Sequence, residues 1–279
     1  MNGKVVLVTG GTSGIGRVTA RELKRAGATV VVVGRDPAKL DAAKREIGAD
    51  TIRADLQLAG DALRAADEFR RRYQRLHVLV NNAGAIFGDR QLTSEGLERT
   101  FALNHMAYFA LTTALLDVLR ASAPARVVSV SSEASRGARL DFADLQMERG
   151  WLGIRQYCNT KLMNLLFAFE LARRLEGSGV TSNAVHPGAV ASGFGMHGAG
   201  WYGTLTRLAR PFLIGEEKGA RTQIWAALDP SLEKVSGKYF FRERQKAPMP
   251  AALDAAAARR LWEESERLLS RISPARAAS

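Results

Sequence analysis

The sequence predicts an α/β protein with a doubly wound parallel sheet. Short runs of β-branched residues alternate along the chain with segments of helical periodicity. Alternation in units of this size favours parallel strands joined by right-handed crossovers, which place helices on both faces of the sheet. The strand segments are almost entirely apolar, as expected for strands that are buried on both faces.

The predicted elements follow one another without a linker or an internal repeat. Strands are predicted at Val5–Val8, Thr29–Val33, Thr51–Arg53, Val78–Val80, Val127–Val130, Thr181–Val185 and Lys238–Phe241. Helices are predicted at Arg17–Ala26, Pro37–Ile47, Ala62–Tyr73, Leu97–Leu119 and Lys161–Leu175, with a further helix near the C-terminus. A chain of 279 residues without such a division is expected to form a single domain.

The excess of basic residues raises the question of nucleic-acid binding. The formal net charge is +12, but the arginines are scattered over several predicted helices, as Arg17, Arg21, Arg64 and Arg70 illustrate. The sequence contains neither a basic stripe interleaved with aromatic residues nor zinc-finger spacing. Because scattered charge usually forms a solvated surface, we expect no nucleic-acid partner.

Cysteine usage and hydropathy favour a soluble cytoplasmic protein. Cys158 is the single cysteine, which excludes an internal disulfide and fits a reducing compartment. The longest apolar stretch, Phe101–Leu119, contains Asn104, His105 and Asp117, so it is expected to be a buried helix rather than a membrane span. The histidines show no metal-ligand spacing, and no metal site is expected.

A glycine-rich turn follows the first predicted strand and predicts a Rossmann-type dinucleotide site. Its glycines lie where the backbone must turn tightly, approach a pyrophosphate and let a helix pack on a strand. The next helix would offer free N–H groups to the phosphates. A nucleotide-triphosphate loop would need Lys followed by Ser or Thr, whereas this chain has Arg17 and Val18. The residues expected to contact the cofactor are Gly10, Thr12, Ser13, Gly14, Ile15 and Gly16.

The end of the second predicted strand indicates which dinucleotide is bound. A carboxylate there would accept a hydrogen bond from the ribose 2′-hydroxyl of NAD, whereas Gly34 and Arg35 leave room and positive charge for a 2′-phosphate. Arg17 is expected to add a second cation. Asp36 precedes Pro37 and fits a helix N-cap better than a ribose ligand. We therefore expect NADP(H) as the cofactor.

Tyr157 and Lys161 form a candidate acid–base pair on a predicted helix. Their spacing puts both side chains on one helix face, where a cation lowers the pKa of a phenol from about 10 toward a range useful for proton transfer. Ser131 and Ser132 follow an apolar strand at the carboxyl end of the sheet, where α/β folds bind ligands. Because neighbouring strand residues point to opposite faces, only one of the two serines can face the cleft.

The glycine turn, Asn81-Asn82-Ala83-Gly84 after the fourth predicted strand, and Tyr157-x-x-x-Lys161 together resemble the short-chain dehydrogenase/reductase family. The resemblance runs from about Lys4 to Pro187 and extends to the Pro187-Gly188 pair. Further features resemble the retinol-dehydrogenase-like branch and its protochlorophyllide-reductase and WW-domain-oxidoreductase relatives. These features are Leu103-Asn104-His105, His186-Pro187-Gly188 and Ser236-Gly237-Lys238-Tyr239-Phe240.

The resemblance implies a catalytic tetrad. Asn104 matches the asparagine whose backbone carbonyl helps to hold a water beside the lysine, and Ser132 matches the serine that orients the substrate oxygen. Tyr157 matches the acid or base, and Lys161 matches the residue that lowers its pKa and holds the nicotinamide ribose. Residues 1–130 would then be mainly the dinucleotide-binding half. Further implied cofactor contacts come from Asp55, Leu56, Asn82, Ala83, Gly84, Pro187, Gly188, Val190 and Ser192.

Two long segments in the second half of the chain are expected to form the substrate side of the site. Glu133–Gln156 is longer than a strand-to-helix connection needs, and residues 189–213 combine glycines with apolar anchors, which predicts a mobile lid. An apolar lid favours a lipophilic carbonyl or alcohol, and hydride transfer between NADP(H) and such a substrate is the expected activity. Two alternatives stay open: reduction of a carbon–carbon double bond, and an idle dinucleotide-binding sensor or scaffold.

The helices predicted around Phe101–Leu119 and Lys161–Leu175 carry more apolar surface than one sheet face needs. We therefore expect a homodimer through these helices, as the resemblance also implies. His105 lies in the first of them and is expected to pack in the core without a functional role. The apolar residues that motivate the dimer on the second helix are Leu162, Leu165, Leu166 and Phe169.

Overall fold

The strands of the protein form one eight-stranded sheet. The computed structural model describes residues 1–188, 190 and 214–273. The sheet order is β3-β2-β1-β4-β5-β6-β7-β8, and each neighbouring pair is parallel except β7 and β8. This order confirms the predicted doubly wound sheet. The strands are β1 Val5–Thr9, β2 Thr29–Gly34, β3 Asp50–Arg53, β4 Val78–Asn81, β5 Ala125–Val130, β6 Val180–His186, β7 Tyr239–Phe241 and β8 Arg244–Gln245.

Helices cover both faces of the sheet. Apolar residues of α1, α2 and α8 pack on one face, and those of α3, α5 and α7 pack on the other. Helix α9 lies outside α7 and packs against it. The helices are α1 Gly14–Arg25, α2 Pro37–Ile47, α3 Ala59–Arg72, α4 Arg99–Phe101, α5 Ala107–Ala114, α6 Leu116–Ala121, α7 Gly153–Arg174, α8 Glu216–Leu228 and α9 Ala255–Ile272.

Alternation along the central strands divides the core into two layers. In β1, Val6 and Val8 face the α1 and α8 layer, whereas Leu7 faces the α3 and α5 layer. All three residues are fully buried, so the apolar strand pattern reflects contact with helices on both sides. The carboxyl ends of β1 and β4 are adjacent in the sheet although β2 and β3 lie between them in sequence, and this reversal of strand order creates a crevice for ligands.

The prediction of one continuous α-helix at Leu97–Leu119 is wrong, because the structure divides this segment into several helical pieces. Helix α4 passes into a π-helical turn, Ala102–Met106, before α5 begins, and Leu115 separates α5 from α6. The carboxylate of Glu98 accepts hydrogen bonds from the N–H groups of Thr100 and Phe101 and so fixes the start of α4. A π turn holds an extra residue and is common at functional sites.

The apolar faces that suggested a dimer are covered within the chain. Leu162, Leu165 and Leu166 are buried in a cluster that includes Leu261 of α9. Helix α9 therefore covers the apolar surface that motivated the dimer. A homodimer stays a prediction, but the exposed apolar face no longer supports it. His105 is buried as expected, with its Nε2 atom 2.8 Å from the Ser265 hydroxyl of α9.

Candidate active site

The glycine turn after β1 forms the floor of a cleft at the carboxyl edge of the sheet. Gly10 and Gly14 have φ angles of 65° and 56°, which side-chain-bearing residues rarely adopt. A Cβ atom on Gly16 would lie 2.4 Å from the carbonyl oxygen of Gly10, so only glycine fits there. Ser13 makes no side-chain cap to α1. The first N–H groups of this helix are therefore available to an anion.

The cleft has a volume of about 490 Å³ and joins most of the residues predicted to form the site. Asn104 and Arg17 are absent from its lining, and Ser192 and nearly all of the predicted lid at 189–213 lie outside the described residues. The predicted residues that line the cleft are Gly10, Thr12, Ser13, Gly14, Ile15, Gly16, Arg35, Asp55, Leu56, Asn82, Ala83, Gly84, Ser132, Tyr157, Lys161, Pro187, Gly188 and Val190.

The cleft end that follows β2 carries exposed charge. The Arg35 guanidinium lies 4.0 Å from the Asp55 carboxylate, and the side chain of Arg35 is 58% exposed. Arg17 instead lies 3.8 Å from Glu46 of α2, on the surface outside the cleft. Lys39 lines the cleft and was missed by the sequence analysis. Its position in the first turn of α2, four residues after Arg35 and close to the end of β2, is the signal that could have found it.

Asp36 caps α2 as predicted. One of its carboxylate oxygens accepts hydrogen bonds from the N–H groups of Ala38 and Lys39, at 2.9 and 3.3 Å. The carboxylate of Asp36 is therefore occupied by the start of α2. Arg35 and Lys39 are the cations that line this part of the cleft.

Asn82 joins the glycine turn to β4. Its Nδ2 atom donates to the carbonyl of Thr9 at 2.8 Å, and its backbone N–H donates to the Thr9 hydroxyl at 2.8 Å. Gln223 of α8 donates to the side-chain oxygen of Asn82 at 3.4 Å and to the carbonyl of Ile15 at 3.3 Å. Asn82 therefore does more than form a turn, because it fixes the two strand ends that border the crevice. No sequence signal pointed to Gln223, since it lies far along the chain.

The structure distinguishes the two serines after β5. The hydroxyl of Ser131 is buried and donates to the backbone carbonyl of Lys161 at 2.7 Å. The hydroxyl of Ser132 accepts from the N–H of Ala134 at 3.2 Å, which leaves its proton available, and Ser132 is partly exposed in the cleft. Ser132 is therefore the serine able to donate to a bound oxygen.

Lys161 is buried beside Tyr157. Its ammonium donates to the carbonyl of Val130 at 3.1 Å and lies 5.5 Å from the centre of the Tyr157 ring. Lys161 is only 2% exposed, and this burial lowers its pKa from 10.5 to about 7. The lysine therefore changes charge near neutral pH, where a group that exchanges protons is most useful.

Asn104 acts on the backbone rather than on the cleft surface. Within the π turn, its side-chain oxygen accepts from the N–H of Ala85 and its Nδ2 atom donates to the carbonyl of the same residue, both at 2.9 Å. The same Nδ2 atom lies 3.1 Å from the hydroxyl of Thr160 on α7. Asn104 thus ties the loop after β4 to α7. The water-binding role implied for its backbone carbonyl stays a prediction.

Fold and site together define a class of protein. A doubly wound sheet, a glycine turn beside the reversal of strand order, and Ser132, Tyr157 and Lys161 in one cleft are features of a dinucleotide-binding α/β oxidoreductase. The chain belongs to the short chain dehydrogenase family, whose sequence model matches residues 4–199. This match confirms the family indicated by the motifs.

The similarity to curated retinol dehydrogenases extends over nearly the whole chain. Human retinol dehydrogenase 12 is 41% identical over 274 residues, which cover 96% of this chain and 86% of that protein. Human retinol dehydrogenase 13 is 40% identical, with 98% and 86% covered. The WW domain-containing oxidoreductase of Pongo abelii is 40% identical, with 96% and 68% covered. The predicted retinol-dehydrogenase-like branch is therefore confirmed.

Solved structures show the same fold. An uncharacterised protein from Mycobacterium paratuberculosis superposes with a TM-score of 0.79 at 33% identity, covering 96% of this chain and 94% of the other. RhlG of Pseudomonas aeruginosa, solved as an active-site complex with NADP, gives a TM-score of 0.67 at 27% identity, with 86% and 94% covered. Within the part of this chain that the structure describes, no helix is long and apolar enough to cross a membrane.

Proposed function

We propose that this protein transfers a hydride between NADP(H) and a lipophilic carbonyl or alcohol. The observation that carries the proposal is the arrangement of the cleft, in which Ser132, Tyr157 and Lys161 line the same cavity as the glycine turn. A dinucleotide bound along this cavity would bring its reactive ring to a hydroxyl, a phenol and a lysine.

The residues of the cleft fit a dinucleotide phosphate. The close packing at Gly16 and the available N–H groups at the start of α1 suit a pyrophosphate. Arg35 and Lys39 suit the additional phosphate of NADP, because both are cations and the nearby Asp36 is held by the α2 backbone. The NADP complex of RhlG supports the same cofactor class.

The catalytic residues would act on the substrate oxygen. The nicotinamide, when bound, supplies or accepts the hydride. In the direction of reduction, the Ser132 hydroxyl holds the carbonyl oxygen by a hydrogen bond, and the Tyr157 hydroxyl donates a proton to it. Lys161 then stabilises the tyrosinate through its positive charge. In the direction of oxidation, the same tyrosine accepts the proton of the alcohol.

The apolar residues that line the cleft support the proposed substrate class. Phe87 and Leu103 line the cavity together with Ala85 and Val190. Such a lining favours burial of a hydrocarbon chain or ring over a sugar. Relatives named retinol dehydrogenases support a lipophilic alcohol or aldehyde as the substrate class.

The proposal is tested by a substrate panel with the purified protein. NADPH absorbance is followed with long-chain aldehydes, aromatic ketones and retinal, and with a sugar aldehyde and a keto acid as polar controls. We expect turnover of lipophilic carbonyls that is lost in Tyr157→Phe. Product analysis separates carbonyl from double-bond reduction. Absence of NADPH oxidation with every carbonyl, although NADPH binds, would contradict the proposal and favour the idle sensor.

A further inference from the structure

Four buried polar atoms behind Lys161 have no hydrogen-bond partner within the described part of the chain. They are the side-chain oxygens of Asn81 and Asn164 and the hydroxyls of Tyr108 and Ser129. Each of the four residues is at most 1% exposed. Leaving one such group unpaired costs about 1–3 kcal/mol, and buried polar groups in native proteins almost always find a partner.

Three of the four atoms belong to strands β4 and β5 and helix α5, which meet at one place. Asn81 of β4 and Ser129 of β5 are directly paired in the parallel register. Each stands two residues after a strand residue that packs on the α3, α5 and α7 layer, so both side chains face that layer. Residues Tyr108 and Thr112 lie one turn apart on α5, and the Thr112 hydroxyl accepts from Nδ2 of Asn81 at 2.9 Å. Tyr108 is thereby placed beside Asn81.

Asn164 connects this cluster to Lys161. The Nδ2 atom of Asn164 and the ammonium of Lys161 both donate to the carbonyl oxygen of Val130, each at 3.1 Å. The free oxygen of Asn164 therefore belongs to a side chain that shares an acceptor with the lysine. Tyr108 is also electrostatically coupled to Tyr157, which shows that the cluster lies near the acid–base pair.

The chemistry of the four atoms matches one water molecule. The two hydroxyls can donate hydrogen bonds and the two amide oxygens can accept them. Burial raises the pKa of Tyr108 well above its usual value of 10, so its proton stays available for donation. A water accepts two hydrogen bonds and donates two, and buried waters typically make 2–4 bonds to such groups.

We propose that an ordered water, held by Asn81, Tyr108, Ser129 and Asn164, lies behind Lys161 and stabilises its ammonium form. The fixed dipoles of a water and of the hydroxyl and amide groups around it solvate a nearby charge, which apolar side chains cannot do. The cluster therefore offsets part of the desolvation that lowers the pKa of Lys161. Tyr108 and Ser129 are positioning residues in this scheme, since they act through the lysine. Their effect on turnover rests on the proposed function.

Nearby charged groups do not account for the stabilisation of the Lys161 ammonium that we propose for the water cluster. The titratable group in contact with Lys161 on α7 is Tyr157, whose ring centre lies 5.5 Å from the ammonium, and Tyr108 of α5 interacts electrostatically with Tyr157. Glu133, which follows β5, is paired with Lys246 and Arg136 instead. The only cause that shifts the pKa of Lys161 is burial. Solvation by neutral dipoles is therefore the property that the cluster can change.

A crystal structure at high resolution tests the water directly, without cofactor or activity. We expect one ordered water within about 3 Å of at least three of the four atoms. Direct hydrogen bonds between the hydroxyls and the amide oxygens, with no water among them, would show that the proposal is wrong.

An NMR titration of the ligand-free protein tests the effect on Lys161. The ¹³Cε signal of Lys161, assigned with Lys161→Met, is followed against pH in the wild type and in Tyr108→Phe and Ser129→Ala, which each remove only a hydroxyl. We expect the midpoint to fall by about half a pH unit to one unit in both variants. Thr181→Val is the matched control. Thr181 also carries a buried hydroxyl without a described partner, but it pairs with Arg126 at the opposite end of the sheet.

Equal midpoints in the wild type and both variants would overturn the proposal, as would the same shift in Thr181→Val. Thermal unfolding of each variant confirms that it is folded, and Tyr108→Phe keeps the ring that packs in the core. Neither experiment needs turnover, so a failure here leaves the reductase proposal intact. Conversely, a protein without reductase activity can still show the water and the shifted midpoint.

Discussion

The two ends of the cleft use positive charge in opposite surroundings. After β2, Arg35 is 58% exposed and lies 4.0 Å from Asp55. On α7, Lys161 is 2% exposed and its ammonium donates to the carbonyl of Val130. Solvent screens the charge of Arg35, so this cation would contribute only modestly to the affinity for the cofactor. Lys161 is desolvated, so its charge depends on pH and on every dipole around it. Under the proposed function, the exposed cation would recognise the cofactor and the buried cation would take part in the chemistry.

The largest expected effect belongs to the buried end. Tyr157→Phe removes the proton donor and keeps the ring, so turnover should fall by about 10²–10⁴-fold, while NADPH affinity stays close to wild type. Steady-state kinetics and fluorescence titration with NADPH measure the two quantities. Tyr73→Phe is the control, because Tyr73 lies outside the cleft lining and its hydroxyl donates to the exposed carboxylate of Asp50. A Tyr157→Phe enzyme that retains most of its activity would refute the mechanism.

Burial of Lys161 predicts a pH-dependent stability. The folded pKa of about 7 lies below the unfolded value of 10.5, so the unfolded state binds more protons between these two pH values. The free energy of unfolding should therefore rise with pH through this window, and the cost of burying the lysine is fully present below pH 7. In Lys161→Met this part of the rise should disappear.

Urea unfolding of wild type and Lys161→Met between pH 6 and pH 10 measures the effect. The free energy of unfolding should rise over this pH range by a few kcal/mol more in the wild type than in Lys161→Met, because each unit of pKa difference contributes about 1.4 kcal/mol. Lys218→Met is the control, since Lys218 of α8 is exposed. Parallel pH profiles for wild type and Lys161→Met would mean that the lysine is not desolvated, and the contrast between the two ends of the cleft would fail.

The serines after β5 give a smaller effect that separates catalysis from packing. Ser132→Ala should lower turnover by about 10- to 100-fold, because a neutral hydrogen bond to the reacting oxygen contributes about 1–3 kcal/mol. Ser131→Ala should leave turnover nearly unchanged and reduce the free energy of unfolding by about 1 kcal/mol, since it loses the bond to the Lys161 carbonyl. Kinetics and urea unfolding of both variants test this pair, and the reverse pattern would assign the substrate oxygen to Ser131.

The exposed end should give the smallest effect. We expect NADPH to bind about tenfold more tightly than NADH, and Arg35→Asp to remove this preference by replacing a cation with a carboxylate. Arg17→Asp is the matched control, because Arg17 is a comparably exposed arginine, at 49% against 58% for Arg35, that faces Glu46 outside the cleft. Calorimetric titration with both cofactors measures the ratio. Equal losses in the two variants would restore Arg17 to the phosphate site, as the sequence had suggested.

Local features of the sequence account for much of this molecule. Strands β1 to β7 lie where the sequence predicts them, whereas the polar strand β8 was not predicted, and Asp36 caps α2 as the Asp-Pro pair indicates. The glycine turn is also predictable, because its conformation depends on the residues of the turn themselves. Even so, α1 begins at Gly14 and α7 at Gly153, each earlier than predicted. Glycines at a helix start weaken the periodic signal although the backbone is already helical.

Other features needed contacts between distant residues. The sequence analysis did not identify α8, whose Gly219 brings it so close to Val190 that a Cβ atom would lie 2.6 Å away. The π turn at Ala102–Met106 is similarly invisible in the periodicity. It places Asn104 against Ala85 and Thr160, which lie in two other segments.

The sequence by itself determined the family, the positions of strands β1 to β7 along the chain and the residues proposed to bind phosphate or move a proton. Those properties depend on local backbone preference and on chemical type, which each residue carries with it. The tertiary structure alone decided that the Ser131 hydroxyl is bonded to the Lys161 carbonyl while the Ser132 hydroxyl keeps its proton available, and that Arg17 lies outside the cleft. It also decided that Lys161 is desolvated. The direction in which a side chain points and the extent of its burial arise from packing between segments far apart in the chain. Burial in turn sets the charge that a lysine carries at neutral pH.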